Sequence, residues 1–327
     1  MHLRISTLAA IAAVVLLVQP AKAQKVEIKL GHIGEPGSLY ALTAEDFAKR
    51  VNAKLVDKAE VQIYGSSQLG SDKDLLQKLK LGQVHLWLAS TIMSSVAPEF
   101  GVFEMPYIIK DRAHMKRVIA EMDTKVFAPA AKAKGVLLLG TCENGFRHIT
   151  NNLRPIAKPA DLAGVKLRVP QGEWQVKMFS AYGANAAPLA YGEVFTALKT
   201  GVMDGQENPF PQIWAGKFNE VQKYLSLSGH VYTPLWIAAS PDGFAKLAPE
   251  IQTAIKDAAK ETEGTCLDLG AKLDDELLAK MKASGDLKVN EVDKPAFIAA
   301  SKGIYDQFDT AVKGGGQLIK DILALAN

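Results

Sequence analysis

Short strand patterns alternate with helix patterns along the first part of this chain. Residues 26–30 alternate in polarity and predict a strand, and residues 39–51 place apolar side chains at helical spacing. A second strand at 61–64, a helix at 72–81 and a strand at 84–89 follow. Strands separated by helices of this length pair in parallel, because the returning chain needs a crossover connection. The pattern therefore predicts an α/β protein.

The same alternation resumes after Gly135 and then gives way to long helices. Residues 136–139 form an apolar run typical of a strand buried on both faces. The later predicted elements are an extended segment at 146–150, strands at 165–169 and 202–206, helices at 173–182 and 194–200, and C-terminal helices at 250–281, 295–310 and 318–326. Ligands of open α/β sheets bind beyond the carboxyl ends of the strands. We therefore expect two α/β lobes with a ligand cleft between them, clamped by long C-terminal helices.

The first 23 residues have the pattern of a secretory signal peptide. His2 and Arg4 precede an apolar run at residues 8–18, and the chain then reads Ala-Lys-Ala up to Ala23. The alternative is a membrane anchor, but the apolar run is well short of the roughly 20 residues that a spanning helix needs. We expect cleavage after Ala23 and export to the periplasm, with Gln24 as the new N-terminus.

Domain boundaries follow from these patterns, with crossings between the lobes expected near residues 145 and 230. The predicted units are the signal peptide at 1–23, a first lobe at 24–145 completed by parts of 231–327, a second lobe at 146–230, and a long helix at 249–281 that spans the lobes.

Charge and cysteine content limit the kinds of partner and cofactor. Removing the signal peptide leaves 36 basic and 35 acidic residues of the 38 and 35 in the whole chain, because residues 1–23 contain Arg4 and Lys22 and no acid. A near-neutral balance argues against nucleic acid or a membrane surface recognised through bulk charge. Cys142 and Cys266 can pair in an oxidising compartment, but two separate buried thiols are the favoured interpretation. No Cys/His cluster has metal-ligand spacing, and no cofactor is expected.

Motifs of the common α/β enzymes are missing from the sequence. It contains no Gly-x-Ser-x-Gly elbow, no His-Glu-x-x-His, no P-loop and no Gly-x-Gly-x-x-Gly that opens a helix. A binding protein is therefore favoured over the alternative, a periplasmic enzyme that acts on a small carboxylate. A ligand-presenting partner of a membrane sensor is a third interpretation.

Five short segments carry a family resemblance. They are YGSSQLG at 64–70, NGFR at 144–147, GVKLRVP at 164–170, GEVFTAL at 192–198 and DGQENP at 204–209. In order and spacing they resemble the solute-binding proteins of TRAP transporters, the DctP-type family, over essentially the whole chain after residue 23. The resemblance implies a periplasmic-binding-protein-like receptor that closes on a carboxylate and delivers it to the TRAP permease membrane subunits. The family's clamping arginine matches Arg168, its second arginine matches Arg147, and its cleft asparagine matches Asn208.

Arg168 has a physical case of its own. It ends an apolar strand just before Pro170, and the carboxyl end of a strand is where a cleft residue lies. A guanidinium group matches a carboxylate with two parallel hydrogen bonds, a geometry that lysine does not reproduce. The alternative is a structural ion pair or an arginine at the surface.

Arg147 lies at the expected crossover between the lobes, where it is either a second ligand donor or part of a structural ion pair. A buried arginine needs a partner, because an unpaired buried charge is costly. Glu207 is the predicted partner, in a supporting role that orients Arg147, with His230 as a third member.

Further candidate ligand contacts come from both lobes. Asn208 is predicted as a ligand contact or as the cap of the following helix, and Gln171 as a polar contact just past Arg168. The remaining candidates are the aromatic residues Tyr191, Trp174, Phe210, Tyr232 and Trp236, and the first-lobe residues His32, Glu35, Ser90 and Thr91, which follow predicted strands.

The identity of the acid stays open at this point. The family's sialic-acid branch has more charged and amide groups at the turns where this chain has Ile33 and Ser90, so a smaller or flatter acid is expected. C4-dicarboxylates, sugar acids, oxo or hydroxy acids and aromatic acids all offer a carboxylate. A monomer is expected.

Overall fold

The computed structural model describes residues 25–326, so the predicted signal peptide and its cleavage site lie outside the described residues. Within this range, eleven strands form two sheets. The strands are β1 Val26–Gly31, β2 Ala59–Tyr64, β3 Leu86–Ala89, β4 Leu137–Phe146, β5 His148–Asn151, β6 Lys166–Val169, β7 Asn185–Pro188, β8 Gly205–Asn208, β9 Tyr224–Leu227, β10 Tyr232–Ala239 and β11 Lys288–Glu291.

Helices cover the sheets and form the C-terminal part of the chain. They are α1 Leu39–Lys54, α2 Asp72–Lys80, α3 Arg112–Met122, α4 Ala128–Ala133, α5 Glu173–Ala181, α6 Val194–Lys199, α7 Phe210–Ala215, α8 Pro241–Ala245, α9 Pro249–Ser284, α10 Lys294–Ala300, α11 Lys302–Ala311 and α12 Gly315–Ala324. Within residues 25–326, none of them is both long and apolar enough to cross a membrane.

The first lobe is built on the sheet β2-β1-β3-β10-β4. β1 pairs in parallel with β2 and β3, as the alternating strand and helix patterns predict, whereas β10 is antiparallel to β3 and β4. Helix α1 begins at a cap in which the Ser38 hydroxyl accepts the N–H of Ala41, and it buries Phe47 and Val51 against the sheet. All eight residues of β10 are buried. The strand therefore lacks the alternation of apolar and polar residues by which a half-buried strand is recognised in a sequence.

The second lobe is built on the sheet β11-β9-β5-β8-β6-β7. β6 and β8 are parallel neighbours, with Arg168 opposite Gln206. Their carboxyl ends therefore meet at one edge of the sheet, where Arg168 and Asn208 lie. β11 comes from the C-terminal part of the chain, so the second lobe also includes a segment outside the predicted range 146–230.

Two adjacent segments carry the chain between the lobes. β4 of the first sheet runs through Arg147 into β5 of the second, and the segment between β9 and β10 returns. The two crossings pair antiparallel, with Tyr232 opposite Phe146. This places Arg147 and His230 between the two sheets, at the base of the cleft.

The long predicted helix is observed as α9, 36 residues from Pro249 to Ser284. It continues through Gly270, where a side chain would clash with Glu143: a Cβ there would lie 1.6 Å from the Glu143 Oε1 atom. Glycine at this position therefore allows α9 to pack closely on β4. The predicted helix at 295–310 is in fact two helices, α10 and α11, separated at Ser301.

The favoured interpretation of the cysteines as separate thiols is wrong. Cys142 on β4 and Cys266 on α9 form a disulfide, with 5.6 Å between their Cα atoms and a separation of 124 positions in sequence. Both residues are buried. The packing of α9 on β4 creates this proximity, and residue spacing along the chain gives no indication of it.

Candidate functional site

A narrow cavity lies between the two lobes, at the carboxyl ends of β6 and β8. The space between its walls is about 410 Å³, a volume that includes space open to solvent. Side chains from both sheets line the cavity, so the lobes are close together in this structure. Six of the predicted ligand contacts line it: Arg168, Arg147, Asn208, Gln171, Tyr191 and Thr91.

Arg168 is a buried cation, only 3% exposed. Its Nε and Nη2 atoms donate to the Leu189 carbonyl at 2.9 and 2.7 Å, and it forms no ion pair within the described part of the chain. Burial lowers the pKa of Arg168 to about 10, which still leaves the guanidinium charged at neutral pH. A buried charge without a counter-ion is unfavourable, so this group is suited to bind an anion that enters the cavity.

Arg147 also lines the cavity, but its charge is balanced within the protein. Its Nε and Nη2 atoms donate to the Glu207 carboxylate at 2.5 and 2.8 Å, and Nη2 also donates to the Glu207 carbonyl at 2.7 Å. Both side chains are fully buried. The two arginines therefore differ: Arg147 has a protein carboxylate, whereas Arg168 has none among residues 25–326.

His230 completes the group around Arg147. Its Nε2 atom lies 3.2 Å from Glu207 Oε2 and its Nδ1 atom lies 2.8 Å from the Ser228 hydroxyl. Burial lowers the pKa of His230, so the imidazole is neutral at pH 7; we assign the proton to Nε2, which donates to the carboxylate. Burial by itself would raise the pKa of Glu207, but the charge of Arg147 and the hydrogen bond from His230 outweigh it and lower the pKa. The structure thus places Glu207 and His230 in the contacts expected from the sequence.

Asn208 joins this group at the end of β8. Its Oδ1 atom accepts from Arg147 Nη2 at 3.2 Å, and its Nδ2 atom donates to Gln206 Oε1 at 2.6 Å. The alternative role as a helix cap is not observed, because α7 begins after Pro209 without a side-chain cap. The amide is therefore oriented by its neighbours on the cavity wall.

Two further amides on the cavity wall were not recognised from the sequence. Asn144 Oδ1 and Gln212 Oε1 are buried acceptors, and neither has a hydrogen-bond partner among the described residues. Buried acceptors of this kind are normally satisfied, so they are suited to accept from hydroxyl groups of a ligand. Asn144 lies within the NGFR segment, and this motif could have identified it as a cavity residue. Gln212 lies in α7, where no motif or spacing distinguishes it.

The first lobe contributes one acid that the sequence analysis also missed. Asp72 lines the cavity and accepts from Trp87 Nε1 at 3.3 Å. Burial raises the pKa of Asp72 to about 7, so near neutral pH it can act as a hydrogen-bond donor or acceptor. It lies at the start of α2, two residues after the YGSSQLG segment ends, and this local pattern does not indicate that it lines a cavity. Ile33, Tyr40 and Ile92 complete this side with mainly apolar surface.

Tyr191 closes the cavity on the second-lobe side. Its hydroxyl donates to the Gln212 carbonyl at 2.9 Å, and its ring packs against Phe218. A Cβ at position 216 would lie 2.7 Å from the hydroxyl oxygen, so Gly216 leaves the space that the tyrosine occupies. Contacts with Gln212 of α7 and with Phe218 thus hold Tyr191 in place.

The other four aromatic candidates do not line this cavity in the structure. Trp174 packs edge-on against Phe308, and Phe210 stacks on His148. The Tyr232 hydroxyl donates to Glu143, and Trp236 packs against Phe100 and Phe103. The strands and helices that carry these four residues have buried faces besides the one at the cleft. An aromatic residue near the cleft can therefore pack into the core instead.

Three of the four first-lobe candidates are also placed elsewhere. His32 is buried beside Gly65, and burial lowers its pKa to about 4, so it is neutral. Glu35 lines a separate groove with Tyr191 and Lys217. The Ser90 hydroxyl donates to the Pro234 carbonyl at 2.6 Å, which leaves Thr91 as the candidate of this set that lines the cavity.

Comparison with known proteins gives a consistent result. A family model for DctP, described as a bacterial extracellular solute-binding protein of family 7, matches residues 30–311. An uncharacterized Sinorhizobium fredii protein, y4mM, is 33% identical over 92% of this chain, and the match spans 56% of that longer protein.

Two solved structures show the same architecture. A TRAP periplasmic solute-binding protein from Sulfurospirillum deleyianum, with bound succinate, is 33% identical with a TM-score of 0.88, covering 92% of this chain and 99% of that one. Another from Roseobacter denitrificans, with bound β-D-glucuronate, is 31% identical with a TM-score of 0.86, covering 91% and 99%.

Proposed function

Given that this chain belongs to the DctP family of bacterial extracellular solute-binding proteins, we propose that it captures a small hydroxylated organic acid, with Arg168 as the clamp for the carboxylate. Members of the family are non-enzymatic, extracytoplasmic receptors of TRAP transport systems. The resemblance stated from the five sequence segments is therefore confirmed, and the receptor function fits better than a periplasmic enzyme. Its membrane partner is a TRAP permease.

The contrast between the two arginines carries the proposal for the carboxylate. Arg147 is neutralised by Glu207, whereas Arg168 lines the cavity with no carboxylate partner among the described residues. A ligand carboxylate at Arg168 would supply the missing counter-ion and accept from the guanidinium fork. The two relatives, which bind succinate and glucuronate, share the carboxylate that this position requires.

Hydroxyl groups on the ligand fit the remaining polar atoms. Asn144 Oδ1 and Gln212 Oε1 are acceptors in need of donors, and Asp72 can serve either role. A second carboxylate would find no other unpaired cation on the described walls of the cavity, because Arg147 is already paired. A large aromatic ring finds little support, since Trp174 and Trp236 belong to the core. We therefore favour sugar acids and aliphatic hydroxy acids over dicarboxylates and aromatic acids.

A thermal-shift screen tests this ligand class. Sugar acids and short hydroxy acids at about 100 times their Kd should raise the Tm by about 5 °C, because ligand binding stabilises the native state. The matched control is the amide of the same sugar acid, which keeps the hydroxyl groups and loses the charge. An equal shift with the amide would contradict the carboxylate clamp, and a shift with succinate or benzoate alone would contradict the preference for hydroxyl groups.

We also propose that export removes residues 1–23 and leaves Gln24 as the N-terminus. The basic start, the apolar run and the Ala-Lys-Ala sequence support this cleavage. The intact mass of the exported protein should correspond to 304 residues. A mass that retains the apolar run would instead support the membrane anchor.

A further inference from the structure

Glu104 is a buried acid that the ligand cavity does not use directly. It ends a 3-10 segment of the first lobe, Pro98–Glu104, and is 2% exposed. Its Oε2 atom accepts the backbone N–H of Gln175 at 3.3 Å. Gln175 belongs to the first turn of α5 in the second lobe, so this hydrogen bond joins the two lobes.

The first turn of α5 has no side-chain cap from its own segment of the chain. Its N–H groups therefore depend on Glu104 for an acceptor. The N-cap residue is Gly172, which has no side chain to accept the free N–H groups of the first turn. The carboxyl group of Glu104 has an oxygen that can accept from these N–H groups in either protonation state. Glu104 therefore supplies, from the other lobe, the acceptor that serine or aspartate normally provides within the same chain segment.

The 3-10 segment Pro98–Glu104 and the start of α5 pack closely against each other. A Cβ on Gly172 would lie 2.9 and 3.0 Å from the two Glu104 carboxylate oxygens. A Cβ on Gly101 of the 3-10 segment would lie 2.5 Å from Nε1 of Trp174 on α5. Glycine at both positions lets the first-lobe segment approach the helix end.

The helix end leads directly into the cavity wall. Gln171 and Pro170, which precede Gly172, line the cavity, and Arg168 lies just before them. On the first-lobe side, Thr91 lines both the ligand cavity and the small space in front of Glu104. Glu104 is thus one layer of residues away from the ligand cavity.

We propose that Glu104 is a positioning residue for ligand binding, which ties the start of α5 to the first lobe and thereby holds Gln171 and Arg168 in place. This inference rests on the proposed function, because it assigns Glu104 a role in forming the carboxylate site. The contact is distinct from the Arg147–Glu207 pair, since it joins the lobes through a helix end.

The electrostatic environment of Glu104 provides a separate readout. Burial raises the pKa of Glu104 to about 7; the charge of Arg147 opposes this shift and that of Glu207 adds to it. On α5, Glu173 and Lys177 pair with each other at 3.6 Å. Because the pKa in the folded protein lies above the ordinary value of 4.5, the native state binds more protons between these values. The contribution of Glu104 to stability is therefore present below about pH 4.5 and is lost as the pH rises through about 7.

Calorimetric titration with the acid found in the thermal-shift screen tests the proposal. Glu104→Ala should weaken binding about tenfold, since it removes the acceptor for the first turn of α5. Glu104→Gln keeps a carbonyl oxygen at that point and should bind within about threefold of wild type, while the fall in stability between about pH 4.5 and 7 becomes smaller than in wild type, because Asp72 still titrates in this range. The control is Glu99→Ala on the same 3-10 segment, which should leave the Kd unchanged.

A second variant keeps the inference testable if Glu104→Ala does not fold. Gly172→Ala places a methyl group against the carboxylate and should weaken binding in the same direction. Wild-type affinity in Glu104→Ala, or in Gly172→Ala if Glu104→Ala does not fold, would overturn the positioning role. Failure of the wild-type protein to bind any acid would instead overturn the proposed function, so the two failures are distinguishable.

Discussion

Arg168→Ala is expected to weaken binding of the carboxylate ligand at least about 100-fold. Two charge-assisted hydrogen bonds are each worth about 1.5 to 3 kcal/mol, so their loss removes about 3 kcal/mol or more. Arg168→Lys keeps the charge but not the planar fork, and we expect it to bind weakly as well. Isothermal titration calorimetry with the acid from the thermal-shift screen measures both effects.

Replacing Arg168 should lower the affinity for the ligand without lowering the free energy of unfolding. This difference distinguishes a ligand-binding residue from a structural one. Arg168→Met replaces a buried cation that has no counter-ion among residues 25–326 with an apolar side chain of similar length. Such replacements of buried charges are often neutral or stabilising, so the ligand-free variant should unfold at the same urea concentration as wild type or a higher one. A structural ion pair would give the opposite result.

Lys166→Ala is the matched control for this prediction. Lys166 lies on the same strand two residues earlier, and about half of its side-chain surface is exposed. The substitution removes the same unit of charge at a distance from the cavity and should leave the Kd within about twofold of wild type. Unchanged affinity in Arg168→Ala would refute the clamp.

Reduction of the Cys142–Cys266 disulfide should lower the free energy of unfolding by about 5 kcal/mol. The cross-link closes a loop of 124 residues, and the loss of chain entropy in the unfolded state scales with the logarithm of that length. Because both cysteines are buried, the protein must be unfolded in the presence of reductant and then compared with the oxidised form. Urea unfolding followed by circular dichroism measures the difference.

The double variant Cys142→Ser/Cys266→Ser provides the control. It should unfold at low urea concentration with or without reductant, so any remaining effect of the reductant would have another origin. Ligand affinity should change little when the variant is folded, because neither cysteine lines the cavity. Equal unfolding curves for the oxidised and reduced wild-type protein would contradict the prediction.

The strand and helix patterns predicted the two-lobed fold class, which the comparisons confirm. They were less informative for β10, which is buried throughout, and for the split between α10 and α11. Alternation in polarity marks a strand that faces both core and solvent. A strand buried on both sides has no such alternation, so its position follows from the sheet that surrounds it.

For the candidate site, residues at strand ends were the most predictable. Arg168 and Asn208 lie where parallel strands end, and this edge forms the cleft in any fold of this kind. Of the aromatic candidates, only Tyr191 lines the cavity in the described part of the chain, because size and hydrophobicity suit a core as well as a pocket. Asp72 and Gln212 were missed because a lone acid or amide on a helix carries no local signal of burial.

The sequence by itself determined the fold class and the family, and it identified the two arginines as candidates for the ligand site. The tertiary structure decided which arginine is available. Glu207 lies 60 residues from Arg147 along the chain and reaches it because β5 and β8 are neighbours, whereas no acid pairs with Arg168 in the described part of the chain. The sequence named Glu207 as a candidate partner of Arg147 but left open whether Arg147 binds the ligand. Pairing and burial depend on residues that are distant in sequence, so the folded protein decides between these alternatives.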